Sequence, residues 1–207
     1  MRPVVLVHGF LVGGYSFKVL ANRLRRRGFQ PHLFAYPSRQ ITLEQAARQL
    51  LDFSHRLDPQ TLDWVGHSLG GLVILEMFKQ LEREQSVLPP GRLVLLGSPV
   101  RGAGAALGLS QHRWGRRLLG QARMGLQREF DRAPEGRETT VIAGTQPVGM
   151  GQWFHPIASP HDGTVSCAET KLTGARWLSV HTTHSGLLFS SQVADETIRA
   201  LSGHFDQ

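Results

Sequence analysis

The sequence predicts one α/β domain over residues 1–207, with about six mostly parallel strands and helices on both faces. Short β-rich runs alternate with longer amphipathic stretches along most of the chain. That rhythm gives a parallel sheet covered on both sides. The length, 207 residues, suits one well-packed core and is short for two.

The elements follow in order. Residues 4–8 are an apolar, β-branched run, and 16–27 an amphipathic stretch closed by Gly28. Residues 30–36 read as a strand ending at Pro37. Thr42 is an N-cap, with Glu44 and Gln45 in the first turn, for a helix reaching about Leu57. A short strand over 62–66 precedes a helix over 69–84, with Leu72, Leu75, Met77 and Leu81 among its apolar positions. Pro89-Pro90-Gly91 breaks the chain before a buried strand over 93–96. Two more strands are expected over 139–143 and 176–180, and a last helix over about 186–201.

Residues 100–136 interrupt the rhythm, being rich in glycine and arginine. Trp114, Leu118, Ala122 and Leu126 stand four residues apart, which fits one helix with an apolar stripe. Two uses are open: a lid or cap over an apolar site or membrane-facing patch, and an ordinary covering helix with its arginines in water.

Composition excludes several classes. At 41% hydrophobic and 19% charged residues the chain is neither disordered nor fibrous. No apolar run approaches the roughly 20 residues needed to cross a bilayer. The N-terminus passes directly into the first strand and shows no small-residue cleavage site, so a cytoplasmic address is expected. Cys167 is the sole cysteine; it allows no internal disulfide and reads as a packed thiol. The formal net charge is +7, carried mostly by arginine. Such a surface can contact anionic membrane peripherally. Without an aromatic stripe or zinc-knuckle spacing it does not read as a nucleic-acid binder. Composition carries no reading of oligomeric state.

The chemistry centres on Gly66-His67-Ser68-Leu69-Gly70, directly after a strand and directly before a helix. The pentapeptide alone is weak evidence; its placement gives it weight. A sharp strand-to-helix turn strains the serine backbone and pushes the hydroxyl outward. The flanking glycines keep any Cβ from colliding with strand and helix. The helix N-terminus aims its amides at a developing oxyanion.

Serine needs a base and an orienting carboxylate, supplied later in the chain. Asp162, in His161-Asp162-Gly163-Thr164-Val165, is the preferred carboxylate, with Asp131 second. Asp63 lies within a strand and Asp195 mid-helix. His184 is preferred over His181 because it lies further out, just before the final helix. The backbone amides of Leu69 and of Phe10, in His8-Gly9-Phe10-Leu11, are the candidate oxyanion donors. His8 and His67 read as structural, bonded to loop backbone. Leu11, Trp153 and Phe154 are candidates to line an acyl pocket, although core packing explains the two aromatics equally well. His155, His161 and Asp162 lack a second cluster at ligand spacing, so no metal is expected.

These residues carry a resemblance. Val7-His8-Gly9-Phe10, Gly66-His67-Ser68-Leu69-Gly70-Gly71, Leu96-Gly97-Ser98-Pro99-Val100-Arg101-Gly102, Asp162-Gly163-Thr164-Val165 and His184-Ser185-Gly186-Leu187-Leu188 resemble bacterial α/β-hydrolases of the serine esterase/lipase group. The likeness runs nearly end to end and fits the small, minimal forms of the group. It implies a single-domain α/β-hydrolase fold and carboxylic-ester hydrolysis through an acyl-enzyme. It further implies Ser68, Asp162 and His184 as the triad, amides of Phe10 and Leu69 at the oxyanion, a small-molecule or lipid ester as substrate, and no cofactor. Thioesterase, amidase and acyltransferase share such a triad and remain alternatives. A non-catalytic module docking on membrane would not need all three groups.

Overall fold

The computed structural model describes residues 1–11, 13–57, 59–149 and 151–203. Among them, six strands form one parallel sheet: β1 (Arg2–Val7), β2 (Phe29–Phe34), β3 (Asp63–His67), β4 (Leu93–Leu96), β5 (Thr139–Gly144) and β6 (Arg176–Val180). Their order is β2-β1-β3-β4-β5-β6. Every residue of the inner strands β3, β4 and β5 is buried, as continuous apolar runs between two helical layers should be. The edge strands β2 and β6 mix buried and exposed positions.

Helices α2 (Leu43–Leu57) and α3 (Leu69–Glu84) share one apolar cluster with Val5, Trp64, Leu95 and Val141 on one sheet face. Helices α1 (Lys18–Arg26) and α7 (Ser191–Ser202) share the other with Val4, Val65, Val94 and Ile142. Alternate residues of each strand thus feed opposite cores. The predicted start of α2 is a reciprocal capping box. Gln45 N–H donates to Thr42 Oγ1 (3.2 Å), and Thr42 N–H donates to Gln45 Oε1 (3.0 Å).

Two expectations are corrected. The final helix is divided: a 3-10 turn covers Gly186–Leu188, and α7 begins after Ser190. Ser190 has ψ 132° and caps α7 by accepting from Val193 N–H, so the helix cannot run back through it. Residues 100–136 do not form one striped helix. They fold as α4 (Gly104–Ser110), α5 (Arg113–Leu119) and α6 (Ala122–Leu126). His112 is extended at ψ 141°, and Gly120 turns the chain at φ +55° against the Arg39 carbonyl. The four-residue spacing is therefore cut between Leu118 and Ala122. Phe130 N–H donates to Val100 O (2.8 Å) and closes the excursion at its base.

Candidate active site

The chain leaves β1 toward β2 and returns on the other side of β1 to form β3. This switch opens a crevice at the carboxyl ends of β1 and β3, where open α/β sheets place their ligands. Ser68 follows β3 at once, with φ 54° and ψ −123°. Its amide donates to Leu96 O (2.9 Å), which pins the turn to β4. The outer glycines are there for space. A Cβ on Gly66 would lie 2.6 Å from Gly71 Cα, and one on Gly70 would strike the Val7 carbonyl. Leu69 opens α3, where a first-turn amide has no partner within the helix.

Register brings the first loop beside the elbow, because Val7 pairs with Gly66. A Cβ on Gly9 would lie 3.0 Å from Ser68 Cβ, so His8-Gly9-Phe10-Leu11 passes against the serine. His8 fastens this loop. Its Nδ1–H donates to Gly9 O (2.9 Å), while Nε2 accepts from Tyr36 N–H (3.2 Å). Tyr36 stacks on the His8 ring and donates its hydroxyl to His8 O (3.0 Å). Leu11 is held at φ 57°, and its amide donates to Ser38 Oγ (3.3 Å). Sequence reasoning missed Tyr36 and Ser38; the only signal was their place at the end of a strand beside β1.

The loops after β5 and β6 converge from adjacent strands, since Gly144 pairs with Val180. Asp162 Oδ1 accepts from the amides of Thr164 (2.9 Å) and Val165 (2.7 Å), and its Oδ2 accepts from His184 Nδ1 at 2.7 Å. The His184 amide also donates to Asp162 O (2.9 Å). Burial opposes charge on Asp162, but the His184 charge and hydrogen bond, with the two amides, outweigh it. The carboxyl is held below its ordinary value. His67 Nε2–H donates to His184 O (3.0 Å). Burial, with the neighbouring His184 charge second, lowers the His67 imidazole to about 3, so it is neutral.

The other candidates lie elsewhere. Asp63 is fully buried, accepting from Arg2 Nη2 and the Arg92 amide (2.7 Å each). Asp131 pairs with Arg101 (2.9 Å), Asp195 lies 3.9 Å from Arg27, and His181 is exposed. His161 Nδ1 accepts from Gly163 N–H (3.0 Å). Cys167 is buried, which raises its thiol.

Ser68 and His184 line one cleft of about 450 Å³. Its walls include Phe10, Leu11, Leu109, Leu118, Val148 and Phe154. Among the described residues, no Asp, Glu, Lys or Arg lines it. Helices α4, α5 and α6 supply one side of it. Leu11 and Phe154, two of the three candidates for an acyl pocket, line this cleft. Trp153 does not: it lies on a 3-10 turn, 75% exposed, and is not among the lining residues.

An open parallel sheet with a strained serine at its switch point and an Asp–His pair at the same rim describes a hydrolase scaffold. The chain belongs to the alpha/beta hydrolase family, whose model matches residues 4–204. No curated protein matches it. Among solved structures it is similar to the mature Bacillus licheniformis lipase BlEst2, with 18% identity and TM-score 0.71 over 90% of this chain and 86% of that one. It is also similar to the RedJ thioesterase of the prodiginine pathway in Streptomyces coelicolor, with 17% identity and TM-score 0.62 over 98% and 89% of the two chains. The Legionella pneumophila phospholipase PlaB shares 15% identity at TM-score 0.75, over 97% of this chain and 58% of that one. At these identities the likeness is one of fold. Among the described residues no helix is long and apolar enough to cross a membrane.

Proposed function

We propose that the chain hydrolyses uncharged carboxylic esters through an acyl-enzyme on Ser68. One observation carries the reading: His184 Nδ1 is engaged by Asp162 at 2.7 Å, leaving Nε2 as the base in a cleft that Ser68 also lines. Nε2 takes the Ser68 proton as Oγ attacks the acyl carbon. The Phe10 and Leu69 amides hold the oxyanion, and His184 protonates the departing alcohol. Water then repeats the attack and frees the acid. Asp162 fixes the imidazole tautomer and stabilises its cation throughout. The uncharged walls favour neutral acyl groups, since a charged one would lose its hydration without a partner.

Ser68→Ala is expected to abolish labelling by a fluorophosphonate probe while melting like the parent. Undiminished labelling of that variant would refute the assignment. A panel of p-nitrophenyl esters from acetate to palmitate then defines the acyl preference. The similarity to a thioesterase makes the matched thioester the second substrate to test; a kcat/KM favouring it would move the reading to thioester cleavage.

A further inference from the structure

We infer that the outer face of α4–α6 is a docking surface for anionic phospholipid bilayers, set at the rim of the cleft. Three observations converge on it.

The first is charge. Residues 102–128 carry Arg113, Arg116, Arg117, Arg123 and Arg128 and no Asp or Glu. Arg128 is turned inward, onto Glu44 (2.8 Å) and Glu76 (3.3 Å). Arg113, Arg116 and Arg117 are exposed. Among the described residues no carboxylate forms an ion pair with Arg113, Arg116, Arg117 or Arg123. Acids pair with some arginines elsewhere, as Glu84 does with Arg48 and Glu196 with Arg199. Arg23, Arg25 and Arg26 of α1, by contrast, form a second basic cluster without an ion pair among the described residues, and Arg25 and Arg26 therefore serve in the control below.

The second is apolar exposure among these cations. Leu107 is 50% exposed, Trp114 55% and Met124 64%, one on each of the three short helices. A basic face carrying Trp, Leu and Met is the composition of a segment lying in the headgroup layer. The amphipathic indole suits that layer in particular. A polyanion such as nucleic acid would use the arginines and leave Leu107 and Met124 without a role.

The third is position. Trp114 packs edge-on against Phe154 (centroids 5.8 Å apart), and Phe154 lines the cleft. Leu118, one turn beyond Trp114 on α5, lines it too. Leu11 and Val148 line the cleft while 55% and 60% exposed, which extends the apolar rim. A bilayer seated on Trp114 and the α5 arginines therefore lies beside the cleft mouth. The natural ester would reach Ser68 from the lipid phase. This last step rests on the proposed esterase activity, whereas docking itself does not.

The test is sedimentation with phosphatidylcholine vesicles, with and without phosphatidylglycerol, using Ser68→Ala protein so that turnover plays no part. Enrichment on the anionic vesicles is expected, weakening as salt screens the arginines. At about fivefold per basic residue near the surface, Arg113→Gln/Arg116→Gln/Arg117→Gln should weaken partitioning roughly a hundredfold. Trp114→Ala should weaken it as well. Arg25→Gln/Arg26→Gln/Arg27→Gln, at the end of α1 on the opposite sheet face, should leave it unchanged. In the Ser68 background both triple variants should keep the parent rate on soluble p-nitrophenyl butyrate. Equal binding to neutral and anionic vesicles, or equal losses from both triple variants, overturns the inference. So does salt-sensitive capture of duplex DNA with no response to Trp114→Ala, which would make the surface a polyanion site. Vesicle binding without hydrolysis of any ester would sink the proposed activity and leave the docking surface standing.

Discussion

Gly97 and His184 are in direct steric opposition. Gly97 follows β4 at φ +56°, and a Cβ on it would lie 3.1 Å from His184 Nδ1, 3.2 Å from Asp162 Oδ2 and 2.7 Å from Leu187 Cδ1. The Asp–His pair occupies space that only a glycine leaves open. Gly97→Ala should therefore displace the imidazole and add left-handed backbone strain of about 1–2 kcal/mol. A misplacement of this kind is expected to cut kcat about a hundredfold. Steady-state kinetics beside a thermal melt checks this; wild-type kcat would show that the pair has room to adjust.

Asp162 holds His184 by one carboxylate oxygen and its own loop by the other. Asp162→Asn keeps the loop acceptor but presents an amide to Nδ1, favouring the wrong tautomer. A fall in kcat on the order of 10⁴ is expected with little change in KM. Asp131→Asn, which alters only an exposed pair with Arg101, should leave kcat unchanged. A reversed ranking of the two variants would transfer the carboxylate role to Asp131.

Stability should depend on pH through His67. Its imidazole titrates at about 3 in the fold and near 6.5 when unperturbed. Between those values the unfolded chain binds a proton that the native state refuses. The contribution is thus complete above about pH 6.5 and is lost as pH falls toward 3. His67→Gln should make the slope of unfolding free energy against pH shallower by up to about 1.4 kcal/mol per pH unit. Urea midpoints taken across this window check it, and parallel slopes for the two proteins would be the contrary result.

Glu76 lies within α3, fully buried, and its ion-pair partner among the described residues is Arg128 Nη2 at 3.3 Å. That bond fastens the short-helix segment to the helix behind Ser68. Arg128→Met leaves a buried charge unpaired and should cost about 3–5 kcal/mol. Glu76→Leu/Arg128→Met should recover most of the loss, as removal of a whole buried pair often does. Chemical denaturation of the three proteins decides it; equal losses in the single and double variants would mean that packing, not charge, governs this contact.

The strands and most helices were legible because each carries its own period and punctuation. Leu69–Glu84, Leu93–Leu96 and Arg176–Val180 have the boundaries expected from the sequence, and Thr42 is the expected N-cap, to which the structure adds the return bond from Gln45. The G-x-S-x-G turn could be read because its glycines answer to short-range crowding between one strand and the next helix. The short-helix segment could not. Its four-residue spacing is real in sequence, but Gly120 breaks it in favour of a turn packed on Arg39.

Sequence alone carried the alternation of strands and helices, the resemblance to the family and the side-chain types that the chemistry needs, since local patterning and residue type are properties of the chain itself. Tertiary structure decided which carboxylate and which imidazole meet, that Trp153 turns away from the cleft, and that Tyr36, Ser38 and Gly97 support the site. These are contacts between residues far apart in the chain. They are fixed by strand order and register, which no local pattern encodes.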